Sequence, residues 1–235
     1  MRISVITPTC DRPVAFALCE AWMRRQTRQP DEWIVADGGT MPVRCTMGQD
    51  HVIDTGMPPG AQNFAANLLN GLASATGDLL VFVEDDDFYA PTHVASLAEL
   101  AERGHPIVGS EPVQRYYNAA HRCFRLMDNR GASMCQTAIG AELKPVLERV
   151  IRACSARNSF GIDADLWTAV GRRLWAFTGR MSVVGMKGLP GRVGLGVGHR
   201  PDARWERDPK LARLRAWIGP DAECYAPFEV PRVDA

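Results

Sequence analysis

Along the first hundred positions, short continuous apolar runs alternate with stretches in which apolar residues recur every three or four positions. Ile3 to Thr7 is apolar and β-branched and is stopped by Pro8, which reads as a buried strand. A helix is predicted from Pro13 to about Gln26, with Asp11 near its cap and Ala17, Leu18, Ala21 and Trp22 facing inward. Glu32 to Ala36 and His51 to Asp54 read as strands. Phe64, Leu68, Leu72 and Ala75 mark a helix over 61–75, with Gly77 predicted as its left-handed cap. Leu79 to Val83 is the next buried strand, and Pro91 opens a helix to about Glu102. The order β-α-β-β-α-β-α predicts an α/β fold with a mostly parallel sheet between helices.

The second half is less regular. Ile107 to Gln114 reads as a strand, and 115–140 as weakly marked strands. Helices are predicted over Pro145 to Cys154 and Asp163 to Ala176, the latter with Leu166, Val170 and Leu174 on one face. Residues 186–200, M-K-G-L-P-G-R-V-G-L-G-V-G-H-R, read as a glycine-rich loop able to move as a lid, or alternatively as a plain surface loop. Near the C-terminus, Arg200, Arg204, Arg207, Arg213 and Arg215 interleaved with Trp205 and Trp217 suit a polyanion with stackable bases, while Leu211, Leu214, Trp217 and Ile218 fit better the inner face of an amphipathic helix with arginines outward.

Composition narrows the class. The 235 residues are 46% hydrophobic and 23% charged, values of an ordinary globular chain. The longest apolar run, Leu79 to Val83, is far too short to span a bilayer. The N-terminus reads as a strand rather than a leader peptide, so the expected location is the cytoplasm of whatever cell makes the chain. Seven scattered cysteines without a C-x-x-C pair argue for reduced thiols, not zinc or disulfides. Net charge is +0, yet residues 1–110 hold 7 basic and 14 acidic side chains (−7) and residues 111–235 hold 20 and 13 (+7). A basic second half suits an anionic ligand or partner. Of its cations, all but Lys144, Lys187 and Lys210 are arginine, which suits bidentate phosphate contacts but equally fits a bias in base composition.

Parallel sheets bind ligands at the carboxyl ends of their strands. The clusters Thr7 to Arg12, Asp37 to Thr40 and Glu84 to Asp87 all fall at such ends. The first turn, T-P-T-C-D-R-P, has no glycine, which excludes the dinucleotide fingerprint and the P-loop. Four consecutive acids at 84–87 repel one another. They read either as a solvated surface cap or as a divalent-cation site.

The series V-I-T-P-T-C-D-R-P, R-R-Q-T-x-x-P-D-E-W-I-V-A-D-G-G-T and F-V-E-D-D-D-F-Y-A-P resembles the family 2 glycosyltransferases of the GT-A fold over about residues 1–100. The resemblance implies a Rossmann-like, mostly parallel sheet with a smaller acceptor-side subdomain, in one continuous domain. Residues 1–110 would form the nucleotide-sugar half and 111–235 the acceptor side. Pro8, Thr9, Asp11 and Asp37 would cradle the base and ribose, uracil being the expected base. Asp85 would lie near the ribose and diphosphate. Asp86 would bind Mn or Mg, with Glu84 in the place of the family's usual first acid. In G-I-D-A-D-L-W, Asp163 matches the catalytic base and Asp165 is the second choice; Ile162 replaces the usual Glu, and Asp163 equally suits a helix cap. His199 is a candidate metal ligand from the late loop, with Lys187, Arg192 and Arg200 as phosphate contacts. The implied chemistry is inverting transfer to an acceptor hydroxyl.

The tail K-G-L-P-G-R-x-G-x-G-x-G-H-R is similar to phage glycosyltransferases that decorate hydroxymethylated pyrimidines. That likeness implies double-stranded DNA as acceptor. A glycan, lipid or protein hydroxyl is the alternative, as are a nucleotidyltransferase and a non-catalytic nucleotide-sugar or DNA-binding module.

Overall fold

The computed structural model describes residues 1–47, 50–54, 60–128, 131–194, 196 and 198–229. The chain alternates β1 (Ile3–Thr9), α1 (Pro13–Arg24), β2 (Glu32–Asp37), β3 (Asp50–Asp54), α2 (Ala61–Ser74), β4 (Leu79–Phe82), β5 (Phe88–Tyr89) and α3 (His93–Ala101). Then follow β6 (Ile107–Gly109), β7 (Val113–Asn118), β8 (Cys123–Asp128), β9 (Thr137–Gly140), α4 (Lys144–Ala156) and α5 (Ile162–Val170). The last elements are β10 (Trp175–Phe177), β11 (Val183–Lys187), β12 (Glu206–Arg207) and α6 (Ala212–Ile218).

Seven strands form the main sheet in the order β10-β6-β9-β4-β1-β2-β3. Only β9 runs antiparallel to its neighbours. A second sheet has the order β12-β8-β7-β11-β5. Because β9 and β10 return to the main sheet beside β6, residues beyond 110 complete the core that residues 1–110 begin. Strand alternation sorts that core. Ile3, Val5, Trp33, Val35 and Val81 face α1 and α3, while Ile6, Ile34, Leu80 and Phe82 face α2, α4 and α5. Burial on both faces explains why these strands read as unbroken apolar runs. None of the described helices is long and apolar enough to cross a membrane, and all seven cysteines are free thiols.

Several local expectations are corrected. The predicted helix 163–176 stops at Val170, because Gly171 takes φ 86°. Trp175 to Phe177 instead form an edge strand that pairs with β6, and Leu174 is exposed. There the indole of Trp167 stacks on Phe177 at 5.1 Å. The single strand 107–114 is two, in different sheets, parted at Ser110-Glu111-Pro112, where proline removes a ladder donor. Gly77 is not a left-handed cap. It is glycine because a Cβ there would lie 2.6 Å from the backbone nitrogen of Ser4. Asp11 directly precedes Arg12, the residue at the cap of α1. Met186 and Lys187 belong to β11, so the glycine-rich loop begins at Gly188.

Candidate active site

The carboxyl ends of β1 and β4 open into a cavity of 410 Å³. Its far wall comes from β7, the segment 133–135, the start of α5 and the late loop. At its centre the acids after β4 meet two cations. Arg12, held at the head of α1, donates from Nη1 to Asp85 at 2.7 Å and from Nη2 to Asp86. Lys187, the last residue of β11, sends Nζ to Asp86 and Asp87, 3.1 Å each. His199 Nε2 lies 3.5 Å from the same Asp86 oxygen. Thr9 Oγ1 donates to Asp85 at 2.7 Å, and the Met186 amide donates to Asp87 Oδ1 at 3.0 Å.

The charges do not balance. Four carboxylates face two obligatory cations, and Asp87 Oδ2 finds no hydrogen-bond partner among the described residues. Burial and neighbouring acids push Glu84 up to about 8 and Asp87 to about 7. Burial, against the pull of Arg12, raises Asp85 to about 6. Asp86 is the exception: burial is outweighed by Arg12 and Lys187, which hold it well below the usual carboxylate range. Burial together with Lys187 lowers His199 to about 4, so its imidazole is neutral and free to act as a ligand. This donor set fits a divalent cation: hard carboxylate oxygens in excess, one left unpaired, and a neutral imidazole beside the most acidic of them. Glu84, Asp87 and Cys135 also offer ligand atoms within 4.8 Å of one another.

Of the residues singled out in the sequence, the structure gathers Pro8, Thr9, Glu84, Asp85, Asp86, Asp163, Lys187, Arg192 and His199 around one cavity. Asp163 sits in the first turn of α5, where its Oδ1 accepts the Ala164 amide at 2.8 Å. Burial raises its pKa, and its charge is felt at Glu84. Asp165, two residues on, does not line the cavity; it pairs at 2.5 Å with the exposed Arg157. Asp11 and Asp37 shape the rim rather than line it. Asp11, at φ 52°, accepts the Thr40 amide and hydroxyl at 2.7 and 2.9 Å. Asp37, fully buried, accepts the amides of Gly39 and Val43, 2.7 Å each. Arg200 lies instead on an adjoining groove with Arg125, Arg204 and Trp205.

Sequence reasoning assigned no role to Arg12, Asn63, Asn67 or Gln114. Two asparagines one turn apart on the inward face of α2 are a legible signal. Asn67 Nδ2 donates to the carbonyl of Thr9 at 2.9 Å, and Asn63 Nδ2 to that of Gly38 at 3.3 Å, so both pin the rim. Arg12 stands in the quoted first-turn motif, but its partners lie more than seventy positions away. Gln114, the second residue of β7, carries no local mark.

A family model described as Glycosyl transferase family 2 matches residues 4–156. Among curated proteins, the chain is similar to the uncharacterized glycosyltransferase YwdF of Bacillus subtilis (strain 168). Identity is 30% over 106 residues, 43% of this chain and 39% of that relative. Among solved structures it is similar to S. aureus TarS 1–349 in complex with UDP, with TM-score 0.53 and 13% identity over 79% of this chain and 60% of that one. TarS 1–349 in complex with UDP-GlcNAc gives TM-score 0.50 and 14% identity over 83% of this chain and 60% of that one. At these identities the structural likeness concerns the fold alone. The chain spans less than two thirds of each of these relatives.

Proposed function

The chain belongs to glycosyl transferase family 2 and has its GT-A fold, and from that premise we propose that it transfers a sugar, with inversion, from a UDP-sugar to an acceptor hydroxyl. The observation that carries this reading is the convergence of Arg12 and Lys187 on Asp85 to Asp87 at the carboxyl edge of the sheet, with Asp163 in the wall of the same cavity. Pro8 and Thr9 would line the nucleoside end. Asp11 and Asp37 would act through the loop that they hold in place. Arg12, Lys187 and Arg192 supply positive charge where a diphosphate would sit.

A divalent cation, Mn or Mg, would be held by Asp86 and His199, with Glu84 near. When bound, it would neutralise charge developing on the nucleoside diphosphate. Asp163 is the proposed base. Its carboxylate would take the proton of the acceptor hydroxyl as that oxygen attacks the anomeric carbon. Partial burial suits the task, because it lifts the basicity of the carboxylate toward neutrality. A single base is enough for inversion. Asp85, Asp86 and Asp87 are engaged with Arg12 and Lys187, unlike the pair of flanking carboxyls of a glycosidase.

For the acceptor, the proposed reading is a 5-hydroxymethylpyrimidine in duplex DNA. Support comes from the balance of +7 over residues 111–235. It comes also from a groove of 360 Å³ lined by Arg125, Arg200, Trp205 and an Arg204 paired with Asp202, which meets the donor cavity at His199. Such a surface suits phosphates and a base presented in the major groove or flipped out. The test is a transfer assay with Mn²⁺ or Mg²⁺, pooled nucleotide sugars, and unmodified or hydroxymethylated duplex DNA, read by mass spectrometry of the digested nucleosides. A hexose or N-acetylhexosamine mass on the hydroxymethyl base alone is expected. Release of UDP without added mass would keep the transferase and discard DNA in favour of a glycan, lipid or protein hydroxyl. Neither release nor added mass would favour a non-catalytic binding module.

A further inference from the structure

The far wall of the cavity holds a buried acceptor with no hydrogen-bond partner among the described residues. Gln114 lies on β7, the strand beside β11 that carries Lys187. It is 1% exposed and lines the cavity. Its amide is oriented by Cys135: Nε2 faces the sulfur at 3.6 Å. The other end, Oε1, has no hydrogen-bond partner among the described residues. The backbone of β11 is shaped to admit this side chain. Gly185 lies against it, and a Cβ there would come within 2.9 Å of Gln114 Nε2 and 2.8 Å of the Tyr116 ring. A buried amide oxygen left without a donor costs folding free energy, so its retention at a cavity wall points to a ligand.

We propose that Gln114 Oε1 accepts a hydrogen bond from the donor sugar and thereby selects which hexose is used. The inference rests on the UDP-sugar reading above. The strand ends take the nucleoside, and Arg12, Lys187 and His199 bracket the diphosphate. The group attached beyond the diphosphate then meets the wall that contains Gln114. Only a hydroxyl or an amide N–H can serve Oε1. A hexose that turns an ether, a hydrogen or an acetyl carbonyl toward it leaves the oxygen unpaired and is disfavoured. Sites built this way discriminate far more sharply than apolar pockets do.

The test compares the full-length wild type with Gln114→Met, which keeps length and removes the acceptor, and Gln114→Asn, which withdraws the acceptor by one methylene. UDP affinity is measured by calorimetry. The kcat/KM for UDP release is measured with UDP-glucose, UDP-galactose and UDP-N-acetylglucosamine. Both variants are expected to bind UDP within twofold of wild type. On the preferred sugar nucleotide they should lose about ten- to a hundredfold in kcat/KM, and the preference among the three should narrow by the same factor. Unchanged preference in either folded variant, or a wild type that treats all three sugars alike, would overturn the assignment of Gln114 while leaving the donor reading standing. So would a loss of UDP affinity as large as the loss with sugar nucleotides, which marks a structural residue. A wild type that binds no UDP would overturn both.

Discussion

The two ends of the central strands handle acids in opposite ways. At the amino ends of β1, β2 and β4 the carboxylates of Asp31, Glu32 and Asp78 are spent on donors of the fold itself. Glu32 Oε1 accepts the Ser4 hydroxyl at 2.5 Å and the Thr76 amide and hydroxyl at 2.6 and 3.0 Å. Asp31 accepts the Ile3 amide at 2.7 Å, and Asp78 the Arg2 amide at 2.8 Å. Gly77 closes the knot by donating to Ser4 Oγ at 2.7 Å. At the carboxyl ends, Glu84 to Asp87 outnumber their cations, leave Asp87 Oδ2 without a partner among the described residues, and border a cavity. Acids satisfied by backbone and hydroxyl donors hold a fold together. Acids in surplus beside arginine and lysine mark the candidate ligand site.

The contrast can be broken from either end. The largest effect is expected at Asp163. Asp163→Asn should lower kcat by about 10²- to 10⁴-fold with UDP affinity intact; equal loss of UDP affinity would make it a structural cap. The pH profile checks the same residue. Because burial raises its pKa, kcat/KM should climb through a value above the ordinary carboxylate pKa of about 3.9, and the asparagine variant should lack that limb. Next comes Asp86→Asn, expected to cost about tenfold to a hundredfold in donor turnover and to abolish any response of UDP affinity to Mn²⁺. At the other end, Glu32→Gln should destabilise the fold by about 1–3 kcal/mol in a urea titration and leave kcat/KM within twofold. The pKa of Glu32 is lowered, since burial is outweighed by the bonds from Ser4 and Thr76. Its contribution is therefore present above the unfolded carboxylate pKa and fades as pH falls through the folded value, so wild type and variant should converge in acid. The smallest effect is expected for Asp165→Asn. Its pair with Arg157 is exposed, and neither turnover nor melting temperature should move.

The first hundred residues were legible because each parallel strand is a continuous apolar run and each strand end is polar. Glu84 to Asp87 stand out for the same reason: four like charges directly after L-L-V-F-V have no place in a core. Past residue 110 the signals blur. Trp175 to Phe177 continue the apolar spacing of α5, and only the positive φ of Gly171 turns them into a strand. Arg12, Lys187 and His199 meet Asp86 from three distant segments, so their meeting depends on topology rather than on any local pattern. Gln114 was hidden altogether, since its meaning lies in what fails to bond to it.

The central claim is that the surplus acids at the carboxyl edge form a metal-assisted nucleoside-diphosphate site. It is tested most directly by calorimetric titration of the full-length chain with UDP, with and without Mn²⁺, for wild type and Asp86→Asn. The account predicts UDP binding by the wild type that tightens when Mn²⁺ is added, and an Asp86→Asn variant whose UDP affinity no longer depends on Mn²⁺. UDP binding that ignores both Mn²⁺ and the loss of Asp86, or no UDP binding at all, would contradict it.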